Sequence, residues 1–326
     1  MQTDRRQLLQ MAGAGLTASV VGHVALAQTY PAHPVRVIVP YAGGGPPDLT
    51  ARLLAQKLSE GLGQQFFVEN LPGAGGNTGV ANAARAMGDG YTLLVISTGF
   101  FVNPSLYARV PYDPIRDFAP VSLIASSPNV LMVNRSVPAR TLTELVDLVR
   151  ANPGKLSYAH ASTGSTPHLA GELLKLRFGL DLVTVPFNSG PQAIMSAIGG
   201  HTPIAITALP SALPNVKDGR VRAIAVTGPK RAAVLPDVPT MEESGADDQE
   251  SETLNGILAP AATPRAIINL LHREVAKVMA SADVRERMFA MGFEPMATTP
   301  EEFGERTKAE IAKWGKVIRD AHIRME

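Results

Sequence analysis

Cysteine is absent from all 326 residues. The chain therefore has no disulfide framework, no thiolate ligands for a metal and no thiol nucleophile, and it suits an oxidising compartment without needing disulfides there. Excess charge of either sign is also missing: 30 basic and 29 acidic side chains leave +1, which provides no clustered basic surface for nucleic acid. The seven histidines show neither H-x-H nor H-E-x-x-H spacing, so no metal site is expected. No G-x-x-x-x-G-K-[ST] occurs. A dinucleotide fingerprint needs a glycine three positions beyond Gly45, where Asp48 stands, and the same count from Gly75 reaches Thr78. There is no G-x-S-x-G elbow. No cofactor and no catalytic group are expected.

What is present begins with an export signal. "MQTDRRQLLQMAGAGLTASVVGHVALAQ" has a charged start, an apolar stretch from Met11 to Ala27 and a small-x-small end at Ala25-Leu26-Ala27. This predicts a secretory signal over residues 1–27, cleaved after Ala27, with Arg5 and Arg6 resembling the twin-arginine type. The apolar stretch is short and small-residue-rich for a membrane span, and no later window is long and apolar enough to be one. The mature protein is expected in the periplasm.

Beyond the signal, strand patterns alternate with helix patterns, from "VRVIVPY" and "LTARLLAQKLSEGLG" through "YTLLVIST" to the helices that close the chain. Such alternation implies mostly parallel sheets flanked by helices. Hydrophobic residues make up 45% of the chain, ample for packed cores, and the length points to two lobes. The unit opened at Val35 starts again at Leu156. "APVSLIASSPNVLMVN" is the candidate for a strand crossing between lobes, and the polar "MEESGADDQESETLN" for the return.

Four segments share one design of strand, small or glycine-rich loop, then helix start: "YAGGGPPDL", "NLPGAGGNTGV", "AHASTGSTPHL" and "PFNSGPQAI". Proline near the first helical position (Pro46 or Pro47, Pro167, Pro191) fits a helix start, and Asn77, Ser165 or Thr166, and Ser189 are candidate N-caps. Helix N-termini bind anions without lysine or arginine, and in parallel sheets such loops gather at the carboxyl edge. Two facing lobes then make a clamp for a small carboxylate. Other readings stay open at this level. Asp48 is most simply a capping acid, His168 a packing or capping residue, and Ser165 with His168 the sparse makings of a hydrolase acting on carboxylic esters.

At these loops the sequence resembles the Bug receptors, extracytoplasmic solute-binding proteins of the tripartite tricarboxylate transporter family. The resemblance runs from "YPAHPVRVIVPYAGGGPPDLTARLLAQKL" through "VENLPGAGGNTG", "NPSLYARVPYDPIRDFAPVSLI" and "ANPGKLSYAHASTGSTPHLAGELL" to "GRVRAIAVTGPKRAAVLPDVPTMEESG" and "ILAPAATP". It implies a two-lobed type II periplasmic binding protein fold, with lobe 1 over residues 28–127 and 251–326 and lobe 2 over 128–250. It also implies a carboxylate held between the lobes by main-chain groups, small hydroxyls and bridging waters. Carried over by motif, lobe 1 contacts come from Tyr41, Ala42, Gly43, Gly45 and Asp48, with Gly76, Asn77, Ser97 and Thr98. Lobe 2 offers Ser162, Thr163, Gly164, Ser165, Thr166 and His168, plus Asn188 and Ser189. The implied partners are the ligand and the transporter's membrane subunits, or a sensor kinase in relatives that signal; a monomer is expected. Three departures stand out. Pro47 replaces the usual threonine, Asn188 a lysine, and Thr207-Ala208 an Asp-Asn pair. With Phe100 and Phe101 as an expected apolar or aromatic wall, they suggest a ligand without an ammonium group, with an apolar, aromatic or dicarboxylic body.

Overall fold

The computed structural model describes residues 30–324; the expected signal over 1–27 lies outside them. Residues 1–32 and 33–326 are separate units, and the fold described here is that of the second. No helix among the described residues is long and apolar enough to cross a membrane.

In lobe 1, strands β1 (Val35–Val39), β2 (Phe66–Asn70) and β3 (Thr92–Ile96) alternate with helices α1 (Pro46–Leu62), α2 (Asn77–Ala84) and α3 (Gly99–Leu106). β1 pairs in parallel with both β2 and β3. α1 starts with two prolines and stops at Gly63, whose φ of 70° is the left-handed helix terminator. Strand β4 (Phe118–Asn134) then leaves the lobe. In lobe 2, α4 (Leu142–Arg150), β5 (Ser157–Ala161), α5 (Thr166–Phe178), β6 (Val183–Phe187), α6 (Gly190–Ile198), β7 (Ile204–Ala208), α7 (Leu209–Lys217) and β8 (Val221–Val226) repeat the scheme, with β5 parallel to β6 and β7. Strand β9 (Glu252–Pro260) returns, followed by α8 (Arg265–Ala280), α9 (Ala282–Ala290), the short β10 (Glu294–Pro295) and α10 (Pro300–Asp320). The strand order is β2-β1-β3-β9-β4-β7-β5-β6, with β8 and β10 also on β4. The outer strands are thus parallel as expected, while the two crossing strands run antiparallel to each other and to their neighbours.

β4 matches the long apolar segment, and it changes partners along its length. Phe118 to Pro128 pair with β9, whereas Asn129 to Asn134 pair with β7 and β8. Pro128 sits at the switch, where a residue without an N–H costs the ladder least. Each lobe has its own core: Ile38, Leu94, Phe100, Phe303 and Trp314 in lobe 1, and Leu131, Val146, Tyr158, Leu174 and Ile206 in lobe 2. Leu169 of α5 joins the lobe 1 cluster, so the lobes touch through α5.

The crossing itself is polar. Asn129 is fully buried; its backbone N–H donates to Thr227 Oγ1 at 2.9 Å, and its Nδ2 donates to the Ser251 carbonyl at 3.0 Å and Oγ at 3.2 Å. Its Oδ1 lies 3.4 Å from Thr166 Oγ1, which is 2.6 Å from Thr253 Oγ1. Asn129→Ala strands these buried groups, so urea unfolding should show a loss of about 1–3 kcal/mol.

Candidate functional site

Between the lobes lies a cleft of about 470 Å³, within the usual range for a small-molecule site. Its walls are the four loops singled out in the sequence, together with the carboxyl ends of β3 and β7 and Thr253 of β9. Of the expected contacts, Tyr41, Ala42, Gly43, Gly45, Gly76, Ser97, Thr98, Ser162, Thr163, Gly164, Ser165, Thr166, Asn188 and Ser189 line it. Asp48, Asn77 and His168 do not.

Those three are buried one layer behind the wall, and each braces a loop. Asp48 Oδ2 accepts the Gly44 N–H at 2.9 Å and Arg52 Nε at 3.0 Å, while Oδ1 accepts Asn70 Nδ2 at 2.9 Å. Burial pushes the Asp48 carboxyl up, but Arg52, the Gly44 N–H and Asn70 outweigh it and hold it below its ordinary value. Asn77 is the first residue of α2 rather than its cap, which is Gly76. Asn77 Oδ1 accepts Asn103 Nδ2 at 2.8 Å and the Tyr112 hydroxyl at 3.0 Å, and Asn103 Nδ2 also donates to the Gly75 carbonyl at 3.0 Å. His168 Nδ1 accepts the Gly164 N–H at 3.0 Å.

Six helix N-termini border the cleft, those of α1, α2 and α3 from lobe 1 and of α5, α6 and α7 from lobe 2. Only α6 has a side-chain cap, Ser189 Oγ accepting the Gln192 N–H at 3.4 Å; the other five have none. Away from the cleft, Thr141 caps α4 and Thr299 forms a full capping box with Glu302 on α10, although α8 and α9 also lack side-chain caps. The Ala42, Gly43, Gly45, Thr163, Thr166 and Gly190 N–H groups meet no acceptor among the described residues. Pro46 and Pro47 occupy the first two positions of α1, so the loop before that helix, not its first turn, supplies the donors there. The N-terminal dipoles still favour an anion.

Among the described residues, no Asp, Glu, His, Lys or Arg lines the cleft. Tyr41 is its one aromatic ring. The Tyr41 hydroxyl is buried without a well-formed hydrogen bond, although the Ser97 backbone lies beside it, and burial raises its pKa far above the ordinary tyrosine value, keeping it a donor. The Tyr41 ring explains Gly76. With φ at 100°, a Cβ there would sit 2.9 Å from Tyr41 Cε1. Gly164, at φ 81°, likewise has no room for a Cβ, which would lie 2.3 Å from Leu106 Cδ2 of the facing lobe.

Phe100 and Phe101 do not form the expected wall. Both are fully buried in the lobe 1 core, Phe100 stacked on Tyr112 and edge-on to Phe118, because α3 turns its apolar face inward behind Gly99. The hydrolase geometry is also missing. Ser165 Oγ donates to the Ala161 carbonyl and His168 Nδ1 is occupied by Gly164, so no base faces the hydroxyl. Asn103, Ser211 and Thr253 line the cleft without having been singled out. Their signal is weak, because none belongs to a glycine-rich loop, and only the topology brings β9 to the cleft floor.

Residues 50–323 match the family described as "Tripartite tricarboxylate transporter family receptor". Protein BugT of Bordetella pertussis is 33% identical over 322 residues, covering 98% of this chain and 99% of that one. An adipate-bound R. palustris protein superposes with a TM-score of 0.86 at 34% identity, covering 90% and 99% of the two chains. Malate-bound MatC of Rhodopseudomonas palustris gives 0.81 at 30%, covering 89% and 100%.

The braced first loop makes a pH-dependent prediction. Asp48→Asn should lower stability at pH 7 by about 1–3 kcal/mol in denaturant titrations. Because the folded carboxyl titrates below its ordinary 3.8, the stabilisation is complete above that value and is lost as pH falls through the lower folded one. The gap between wild type and variant should therefore narrow in acid below about pH 4.

Proposed function

The chain belongs to the tripartite tricarboxylate transporter family receptors, the Bug-type solute receptors, and on that premise we propose that it captures a dicarboxylate, one carboxylate to each lobe. Proteins of this family are solute receptors rather than enzymes, and this one is a periplasmic carboxylate-binding receptor. The observation that carries the finer reading is the cleft with no charged side chain, bordered by three helix N-termini from each lobe.

On the lobe 1 side, the free Ala42, Gly43 and Gly45 N–H groups and the Ser97 hydroxyl meet one carboxylate. On the lobe 2 side, the Thr163, Thr166 and Gly190 N–H groups, with Asn188 and Ser211, meet the other. No acidic side chain is there to take an ammonium group, which disfavours amino acids. The bodies of the adipate and malate held by the two structural relatives are aliphatic, and with Phe100 and Phe101 in the core the cleft favours such a body over an aromatic one. Lobe 1 would comprise residues 28–127 and 251–326 and lobe 2 residues 128–250, hinged where β4 changes partners; closure on the ligand would form the surface read by transporter membrane subunits. The receptor works as a monomer, and presentation to a sensor kinase is the alternative use of the same closed state.

A thermal-shift series with succinate, adipate, malate, citrate, benzoate and aspartate tests this. A dicarboxylate at a hundred times its Kd should stabilise by about 2.7 kcal/mol. Calorimetry should find its affinity flat between about pH 7 and 9, since no lining side chain titrates there. Tightest binding of aspartate or of a monocarboxylate would sink the reading.

A further inference from the structure

We propose that His160 and His168 are a positioning pair, two neutral imidazoles in opposite tautomers that set the peptide orientations of the Ser162–Thr166 loop and so aim its free N–H groups at the bound carboxylate. The binding part of this proposal rests on the receptor reading; the tautomers do not.

The two rings stack in the lobe 2 interior, centroids 4.4 Å apart and 23° from parallel, and neither reaches the cleft. They hold the loop from behind in complementary ways. His160 Nδ1 lies 3.2 Å from the Ser162 carbonyl oxygen. An oxygen there demands a proton on Nδ1. His168 Nδ1 lies 3.0 Å from the Gly164 nitrogen, which donates. A donor there demands a lone pair on Nδ1, so the His168 proton sits on Nε2, on the side where Glu172 Oε1 stands 3.8 Å away. Glu172 is itself fixed by the Tyr158 hydroxyl at 2.8 Å, Thr184 Oγ1 at 2.9 Å and Lys175 Nζ at 2.9 Å. The tautomer pattern therefore follows from hydrogen-bond direction alone.

Each contact turns one peptide dipole. The Ser162 carbonyl, which also accepts the Ser165 N–H at 3.2 Å, is drawn toward a fully buried ring and thus away from an anion it would repel. The Gly164 N–H is taken by His168, which leaves Thr163 and Thr166 as the loop's open donors. This arrangement needs Ser162 at φ 49°, a left-handed conformation that a serine holds only when its surroundings enforce it. A proton on His168 Nδ1 would set donor against donor at Gly164. Burial guards against that by pushing both rings down to about 4; for His160 the neighbouring His168 adds to the effect, and for His168 Lys175 lowers further against the opposing pull of Glu172.

Long-range proton–nitrogen correlation on ¹⁵N-labelled wild-type protein should show His160 protonated on Nδ1 and His168 on Nε2, unchanged between about pH 5.5 and 8. The reverse tautomer on either ring, or titration near an ordinary histidine value, overturns the proposal. His168→Asn puts an amide oxygen near the Nδ1 position, and His168→Leu removes the acceptor. Hydrogen exchange should keep the Gly164 amide protected in wild type and Asn and expose it in Leu. With adipate as probe, Leu should bind about 10-fold more weakly and Asn within about 3-fold of wild type. A merely structural role lowers the melting temperature of Leu but leaves its adipate affinity at the wild-type value, and that result also overturns the proposal. If wild type binds no carboxylate at all, the receptor reading fails, and the tautomer and exchange measurements still decide this one.

Discussion

The joint between the crossing strands is the constraint on which the cleft depends. β4 and β9 are buried almost throughout, so polar groups at the crossing must find partners inside the protein. Asn129 answers this by bonding Thr227 and Ser251 on one side and facing Thr166 and Thr253 on the other. Thr166 and Thr253 are also cleft residues. The lobe positions and the floor of the binding site are therefore set by one chain of hydroxyls and a single amide. Thr98 extends it, donating to the Glu252 carbonyl and accepting the Leu254 N–H. The start of α5 is thus tied directly to the joint between the crossing strands.

Why such a site dispenses with arginine and lysine follows from desolvation. A charged side chain in a closing cleft must shed water and be repaid by nearly ideal pairing, whereas backbone N–H groups fixed by helix starts are oriented before the ligand arrives. The other face of the same strands makes the contrast. Strand alternation places Glu252 opposite Thr253, in a second cavity of about 280 Å³. There, Lys230, Arg231, Glu252 and Glu294 line the walls, and Lys230 and Glu294 approach to 3.7 Å with the lysine largely exposed. This second cavity also lies where the lobes meet, and there a largely exposed lysine keeps its charge in water, whereas the four-loop cleft has no charged side chain among the described residues.

Much of this was legible in the sequence because it is written in backbone chemistry. Glycine and proline at helix starts, the long, mostly apolar run of β4 and the repeat of strand–loop–helix units each follow from local preference, and each matches the fold. What escaped was side-chain direction. Asp48, Asn77 and His168 entered the expected contact set through the family motif, whereas the residues alone read Asp48 as a capping acid and His168 as a packing or capping residue, which is how the structure uses them. A first-turn residue points back along its helix as readily as into the ligand; Asp48 and His168 turn to loop N–H groups, and Asn77 turns to Asn103 and Tyr112. Phe100 and Phe101 failed for the same reason, since an 8-residue helix at a cleft edge must bury one face, and theirs is the core face. Thr253 and Ser211 reach the cleft through tertiary contacts that no local pattern encodes.

The three bracing residues also account for how one scaffold can change ligands. Donors on the cleft walls depend on loop conformation, and that conformation is held by a carboxylate for Gly44, an amide pair for Gly75 and an imidazole for Gly164, of which only Asn103 of the amide pair itself lines the cleft. Lining positions such as Asn188 and Ala208 carry no part of that bracing. Of the departures from the family pattern, Asn188 and Ala208 line the cleft, whereas Thr207 is buried behind it.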